Sequence, residues 1–78
     1  MNLKIKLSTV GDAVLFSAKC NEYKEDIDYL YDSRYVLDAK STVGVIAAGI
    51  GKVREVKIHT ENENVMVKFK GGMRLWMA

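Results

Sequence analysis

Proline is absent from this 78-residue chain, so no loop is held by a locked φ. One cysteine rules out an internal disulfide framework and suits a reducing cytosol. With one cysteine and one histidine, no pair of either stands at metal-ligand spacing, and no cofactor is implied. No apolar run approaches the length that spans a bilayer. The opening Met1-Asn-Leu-Lys-Ile-Lys-Leu7 alternates and lacks the apolar stretch of a secretory leader. A net charge of +2 is too small to argue for nucleic acid or an anionic membrane as partner. Repeats, linkers and low-complexity segments are missing too. What remains is the expectation of one soluble cytoplasmic domain over residues 1–78. Its core is so small that every element must contribute to it.

The patterns present are short and distinct. Leu3, Ile5 and Leu7 alternate with Asn2, Lys4 and Lys6, which predicts a half-buried strand. Val10-Gly11-Asp12 reads as a short connection, with Asp12 as the cap of a following helix. Ala13, Phe16, Cys20 and Tyr23 then recur at helical spacing. Ile27, Tyr29 and Tyr31 predict a second strand and Tyr35 to Ala39 a third. Asp32-Ser33-Arg34 supplies the turn that joins them as a hairpin. Ser41 stands where a helix N-cap belongs. Val43, Ile46, Ala47 and Ile50 follow on one helical face, and Gly49 and Gly51 close that helix. Val53 to Thr60 is a fourth strand, with Val56, Ile58 and Thr60 on one side.

After the polar break Glu61-Asn62-Glu63-Asn64, two readings of the last segment stand. Met66, Phe69, Met73 and Trp76 form a helical stripe, while Gly71-Gly72 could instead turn a hairpin. We favour the helix: the first helix and one short one leave part of a four-stranded sheet bare. The resulting order is β-α-β-β-α-β-α, an α+β fold with an antiparallel sheet and its helices on one face.

Within this order, Ala39-Lys40-Ser41, Val43-Gly44-Val45 and Gly49-Ile50 carry the most specific signal. The segment resembles the regulatory-serine region of HPr, the histidine phosphocarrier family of the bacterial sugar phosphotransferase system. The likeness covers roughly residues 23 to 60. It implies an open-faced β-sandwich, with Ser41 as a kinase target. It also implies a docking surface for proteins, here Lys40, Val43, Ile46 and Ala47, with Val45 adding to the apolar patch. The partners implied are a serine kinase and a regulator of carbon use. Thr42 and Ala47-Ala48 make that patch smaller than the family's.

The resemblance also implies a histidine, an arginine and a proline just before the first helix. Here the corresponding loop is Ser8-Thr9-Val10-Gly11-Asp12, with none of them. Asp12 adds negative charge where a phosphoryl group would sit. Thr9, Val10, Gly11 and Asp12 therefore read as a degenerate phosphocarrier loop. The expectation is a non-enzymatic regulatory or interaction module. The alternatives are a phosphocarrier with another acceptor, or a structural homo-oligomer, including a homodimer formed by exchange of a strand or helix.

His59 falls among outward residues of the fourth strand, as a solvated side chain or a substitute acceptor. Cys20 reads as a core thiol. Tyr29, Tyr31 and Tyr35 read as cross-strand packing rather than a base-stacking platform, because Asp26, Asp28 and Asp32 lie among them. Trp76 reads as core or as a sticky face for a partner.

Overall fold

A computed structural model describes residues 2–32 and 34–78. Ser33 of the expected turn lies outside the described residues. The elements are β1 (Asn2–Lys6), α1 (Val10–Cys20), β2 (Ile27–Asp32), β3 (Tyr35–Asp38), α2 (Thr42–Ala47), β4 (Val53–Ile58) and α3 (Glu63–Gly72). A turn of 3-10 helix, Arg74–Trp76, follows. The four strands form one antiparallel sheet in the order β1-β4-β2-β3.

Alternation decides which face of the sheet is covered. Leu3, Ile5, Ile27, Tyr29, Val56 and Ile58 are buried, while Asn2, Lys4, Lys6 and Lys57 between them are exposed. The helical stripes pack onto the buried side. Ala13, Phe16, Cys20 and Tyr23 from the first stripe join Phe69, Met73 and Trp76 from the last in one core cluster. Phe16 is its centre, 5.7 Å from the Tyr29 ring and 5.9 Å edge-on to Trp76. The final segment is thus a helix. Asn62 caps it by accepting from the Asn64 and Val65 N–H groups, and the two glycines fall at its end, where their helix penalty is smallest. Met77 bridges to Ile5 and the Ala78 N–H donates to the Lys4 carbonyl, closing part of the β1 edge.

Two expectations are corrected. The cap of α1 is Thr9, not Asp12, and the helix begins at Val10. Thr9 Oγ1 accepts the Asp12 N–H at 3.0 Å, which leaves Asp12 inside the first turn with its carboxylate free to reach backwards. In α2, Val45 is fully buried and not part of an outer patch. A six-residue helix has room for little else to reach the core, and Ile46, Ala48 and Ile50 only pack against it partly buried.

Candidate functional site

Helices α1 and α2 lie side by side and antiparallel. Asn21 at the end of α1 donates to the Lys40 carbonyl at the start of α2 (3.0 Å). The Thr42 hydroxyl donates to that of buried Ser17 (3.0 Å). At the far end, the Gly51 N–H donates to the Leu7 carbonyl (2.7 Å). The two helix N-termini therefore sit at opposite ends of the pair.

The chain itself fills the first terminus. Thr9 is extended (φ −136°, ψ 163°) and its hydroxyl caps the Asp12 N–H. Asp12 Oδ2 in turn accepts the Ser8 N–H at 3.1 Å. A carboxylate thus occupies the positive end of the helix, where an external anion would otherwise be held. Thr9, Val10, Gly11 and Asp12 form a closed capping arrangement.

The second terminus is open. Ser41 is exposed and extended (φ −89°, ψ 102°), and its Oγ accepts the Gly44 N–H at 3.1 Å. Gly44 makes that approach possible, because a Cβ there would stand 3.1 Å from the Ser41 Oγ. The backbone leading in is fixed. The Asp38 carboxylate accepts the Lys40 N–H (2.9 Å), and the Asp38 carbonyl accepts the Ser41 N–H (2.9 Å). Buried Ala39 donates to the Ile27 carbonyl (2.9 Å). At the other end of α2, Arg54 donates to the Ala48 carbonyl (3.0 Å) and to the Tyr31 carbonyl (2.6 Å), tying the helix to β2. Gly49 follows at φ +94°, the left-handed stop that glycine permits.

The docking residues expected from the sequence divide. Val43 (79% exposed) and Ala47 face outward. Ile46 is half-buried against the core. Lys40 turns its ammonium onto the Tyr23 carbonyl at 2.6 Å. Sequence reasoning missed Val10 and Val14, exposed on α1. Their spacing of four was readable once Val10 is counted as helical. It missed the Arg54 clamp, which acts on two main-chain carbonyls, Tyr31 in a distant strand and Ala48 six residues before it.

Other candidates resolve as follows. His59 Nε2 lies 2.5 Å from Asp28 Oδ2, an exposed pair brought together across β4 and β2. Tyr29 is buried, while Tyr31 and Tyr35 stack on each other (5.6 Å, 22°). Cys20 is buried, which pushes its thiol up to about 12, with Lys40 opposing and Asp38 reinforcing. Among the described residues no group of three or more His, Cys, Asp or Glu could hold a metal, and no helix is long and apolar enough to cross a membrane.

No family model and no curated protein matches the chain. Its fold is similar to solved phosphocarriers. One is HPr-C-His from Thermoanaerobacter tengcongensis, 19% identical, with 95% of this chain and 89% of that chain covered and a TM-score of 0.70. Another is a phosphocarrier protein HPr from Bacillus anthracis str. Ames, 17% identical, with 94% and 95% covered and a TM-score of 0.67. The fold is therefore HPr-like: an open four-stranded antiparallel sheet with three helices.

Proposed function

We propose that this chain is an HPr-like, non-catalytic regulatory module of the cytoplasm that works by binding other proteins, with Ser41 as its phosphorylation switch. The observation that carries this reading is the contrast between the two helix starts. At one, the Asp12 carboxylate folds back onto the Ser8 N–H, while Ser41 stands exposed at the other. A phosphate on Ser41 brings close to two negative charges to a helix N-terminus, where the dipole favours them. α2 is then expected to persist, and the modification changes the charge of the surface rather than unfolding it. Val43 and Ala47, with Val10 and Val14 on the neighbouring helix, are the apolar residues that such a partner would cover. A serine kinase and a carbon-regulation protein are the partners that the resemblance suggests.

The test is direct. HPr kinase with ATP should label the protein, and Ser41→Ala should abolish the label. Absence of label under conditions that modify an HPr would remove the switch from the reading.

A second reading has one observation in its favour. In the tautomer whose Nε2–H donates to Asp28, the His59 Nδ1 keeps its lone pair and can act as a nucleophile toward a phosphoryl group in place of the missing histidine. Incubation with enzyme I and phosphoenolpyruvate, followed by mass spectrometry, separates the two. A phosphohistidine lost in His59→Gln favours the carrier, and an unmodified chain favours the module.

A further inference from the structure

Neither reading uses the side of the molecule formed by α3, the turn Arg74–Trp76 and the adjoining flank of α1. Two hollows of about 590 and 430 Å3 lie there. The first is lined by Val67, Lys70, Gly71, Arg74 and Met77. The second runs past Leu15, Ala18, Leu75 and Trp76, is rimmed by the ion-paired Lys19 and Glu22, and shares Gly71 with the first; a smaller hollow beside them is lined by Glu63, Met66, Val67 and Lys70. Around them Leu75 is 86%, Val67 72% and Leu15 61% exposed. Bare apolar side chains grouped beside concave surface mark an interaction site more than scattered ones do.

Two further observations say what covers it. The first hollow is lined by two cations and no carboxylate, and among the described residues neither the Lys70 nor the Arg74 side chain makes an ion pair. A second copy joined by a two-fold axis running through this hollow would set these cations against their own images. A complementary surface carries carboxylates instead. Gly71 adds a second argument. A Cβ there would meet nothing within 4 Å, and its φ is not positive, so neither packing nor backbone requires glycine. Gly72 differs: its Cβ would lie 3.3 Å from the Lys19 stem. The bare backbone at Gly71, where the two hollows meet, lets another chain approach closely at the expense of helix propensity.

We propose that this face docks an amphipathic helix of a partner protein. The partner's apolar side seats on Leu15, Val67, Gly71 and Leu75, and its carboxylates pair with Lys70 and Arg74. The surface is separate from Ser41, and the proposal stands whether or not Ser41 is phosphorylated.

The experiment titrates the full isotope-labelled chain with a peptide of about 18 residues, leucines on one helical face and glutamates on the other. A second peptide replaces the glutamates with lysines. The glutamate peptide should give saturable amide shifts at Val67, Gly71, Arg74 and Leu75, with the lysine peptide at least about tenfold weaker. The double variant Lys70→Glu, Arg74→Glu should reverse that preference. Gly71→Ala should raise Tm only slightly, by about 1 to 2 °C, while weakening the glutamate peptide about tenfold. Four results would overturn the proposal: no saturable shift up to roughly 1 mM peptide, equal binding of both peptides, concentration-dependent shifts at these residues in the chain alone, or binding through them to phosphatidylglycerol vesicles without peptide binding.

Discussion

Two helix starts in this molecule use the same chemistry and reach opposite ends. At α1 the Thr9 hydroxyl accepts the N–H of the third residue beyond it, Asp12; at α2 the Ser41 hydroxyl does the same with Gly44. The difference lies in that third residue. Asp12 carries a carboxylate that folds back onto the Ser8 N–H, so the terminus is neutralised from within. Gly44 carries nothing, so the Ser41 hydroxyl keeps a solvent-facing side. A cap residue alone therefore does not say whether a helix start is available to an outside group. The residue three positions on decides it.

The strongest way to break the open start is from its far end. Arg54→Met removes both hydrogen bonds that tie Ala48 and Tyr31 together and leaves their carbonyls unpartnered. We expect a loss of about 3 kcal/mol in chemical denaturation. The guanidinium is not ideally served even now, since its buried Nε has no hydrogen-bond partner among the described residues. A loss below about 0.5 kcal/mol would mean that α2 is held by packing alone.

Alkali tests the floor beneath the same helix. Cys20 lies close enough to Lys40 and Asp38 to feel their charges, and burial pushes its thiol from 9.0 up to about 12. The native state therefore holds this proton more tightly than the unfolded chain. Its contribution to stability is complete below about pH 9 and is lost as pH rises towards about 12, at about 1.4 kcal/mol per pH unit. Burial raises the Tyr29 phenol as well, with Arg54 opposing, so the sign is the same. Unfolding midpoints measured from pH 8 to 11 should fall in Cys20→Ala less steeply than in the parent.

The caps themselves come next. Thr9→Ala and Ser41→Ala should each cost about 1 kcal/mol, whereas Ser41→Asp should cost almost nothing because its carboxylate replaces the cap. If Ser41→Asp destabilised as much as Ser41→Ala, a phosphate would not be tolerated there either. The smallest effect is the most pointed. Gly44→Ala should change stability little, because the gain in helix propensity is offset by crowding of the Ser41 Oγ at 3.1 Å. In a Ser41→Ala background the same change should stabilise by about 1 kcal/mol. Equal effects in the two backgrounds would show that the close approach is unimportant.

The architecture was largely legible because its stripes are local. Ala13, Phe16, Cys20 and Tyr23 need only helical spacing to declare a face, and all are buried. For Met66, Phe69, Met73 and Trp76 the stripe alone did not exclude a Gly-Gly hairpin, and the helix followed from the part of the sheet that would otherwise stay bare. The cap of α1 was not legible, because Thr9 and Asp12 can both cap and only the backbone decides between them. The Arg54 clamp and the His59–Asp28 pair join residues far apart in the chain, and their partners include backbone carbonyls that no side-chain pattern reveals. Lys40 was read as part of a docking surface, yet its ammonium reaches a main-chain carbonyl of the first helix's exit.

The Thr42–Ser17 hydroxyl pair sets a limit on how α2 can respond to anything bound or attached at its start. It is a polar detent in an apolar seam. Sliding α2 along α1 by one turn, about 5.4 Å, would break this bond and leave the buried Ser17 hydroxyl without its partner. Tilting about that point keeps the pair together. Removing both hydroxyls together, in Ser17→Ala with Thr42→Val, should therefore cost less than the sum of the two single changes.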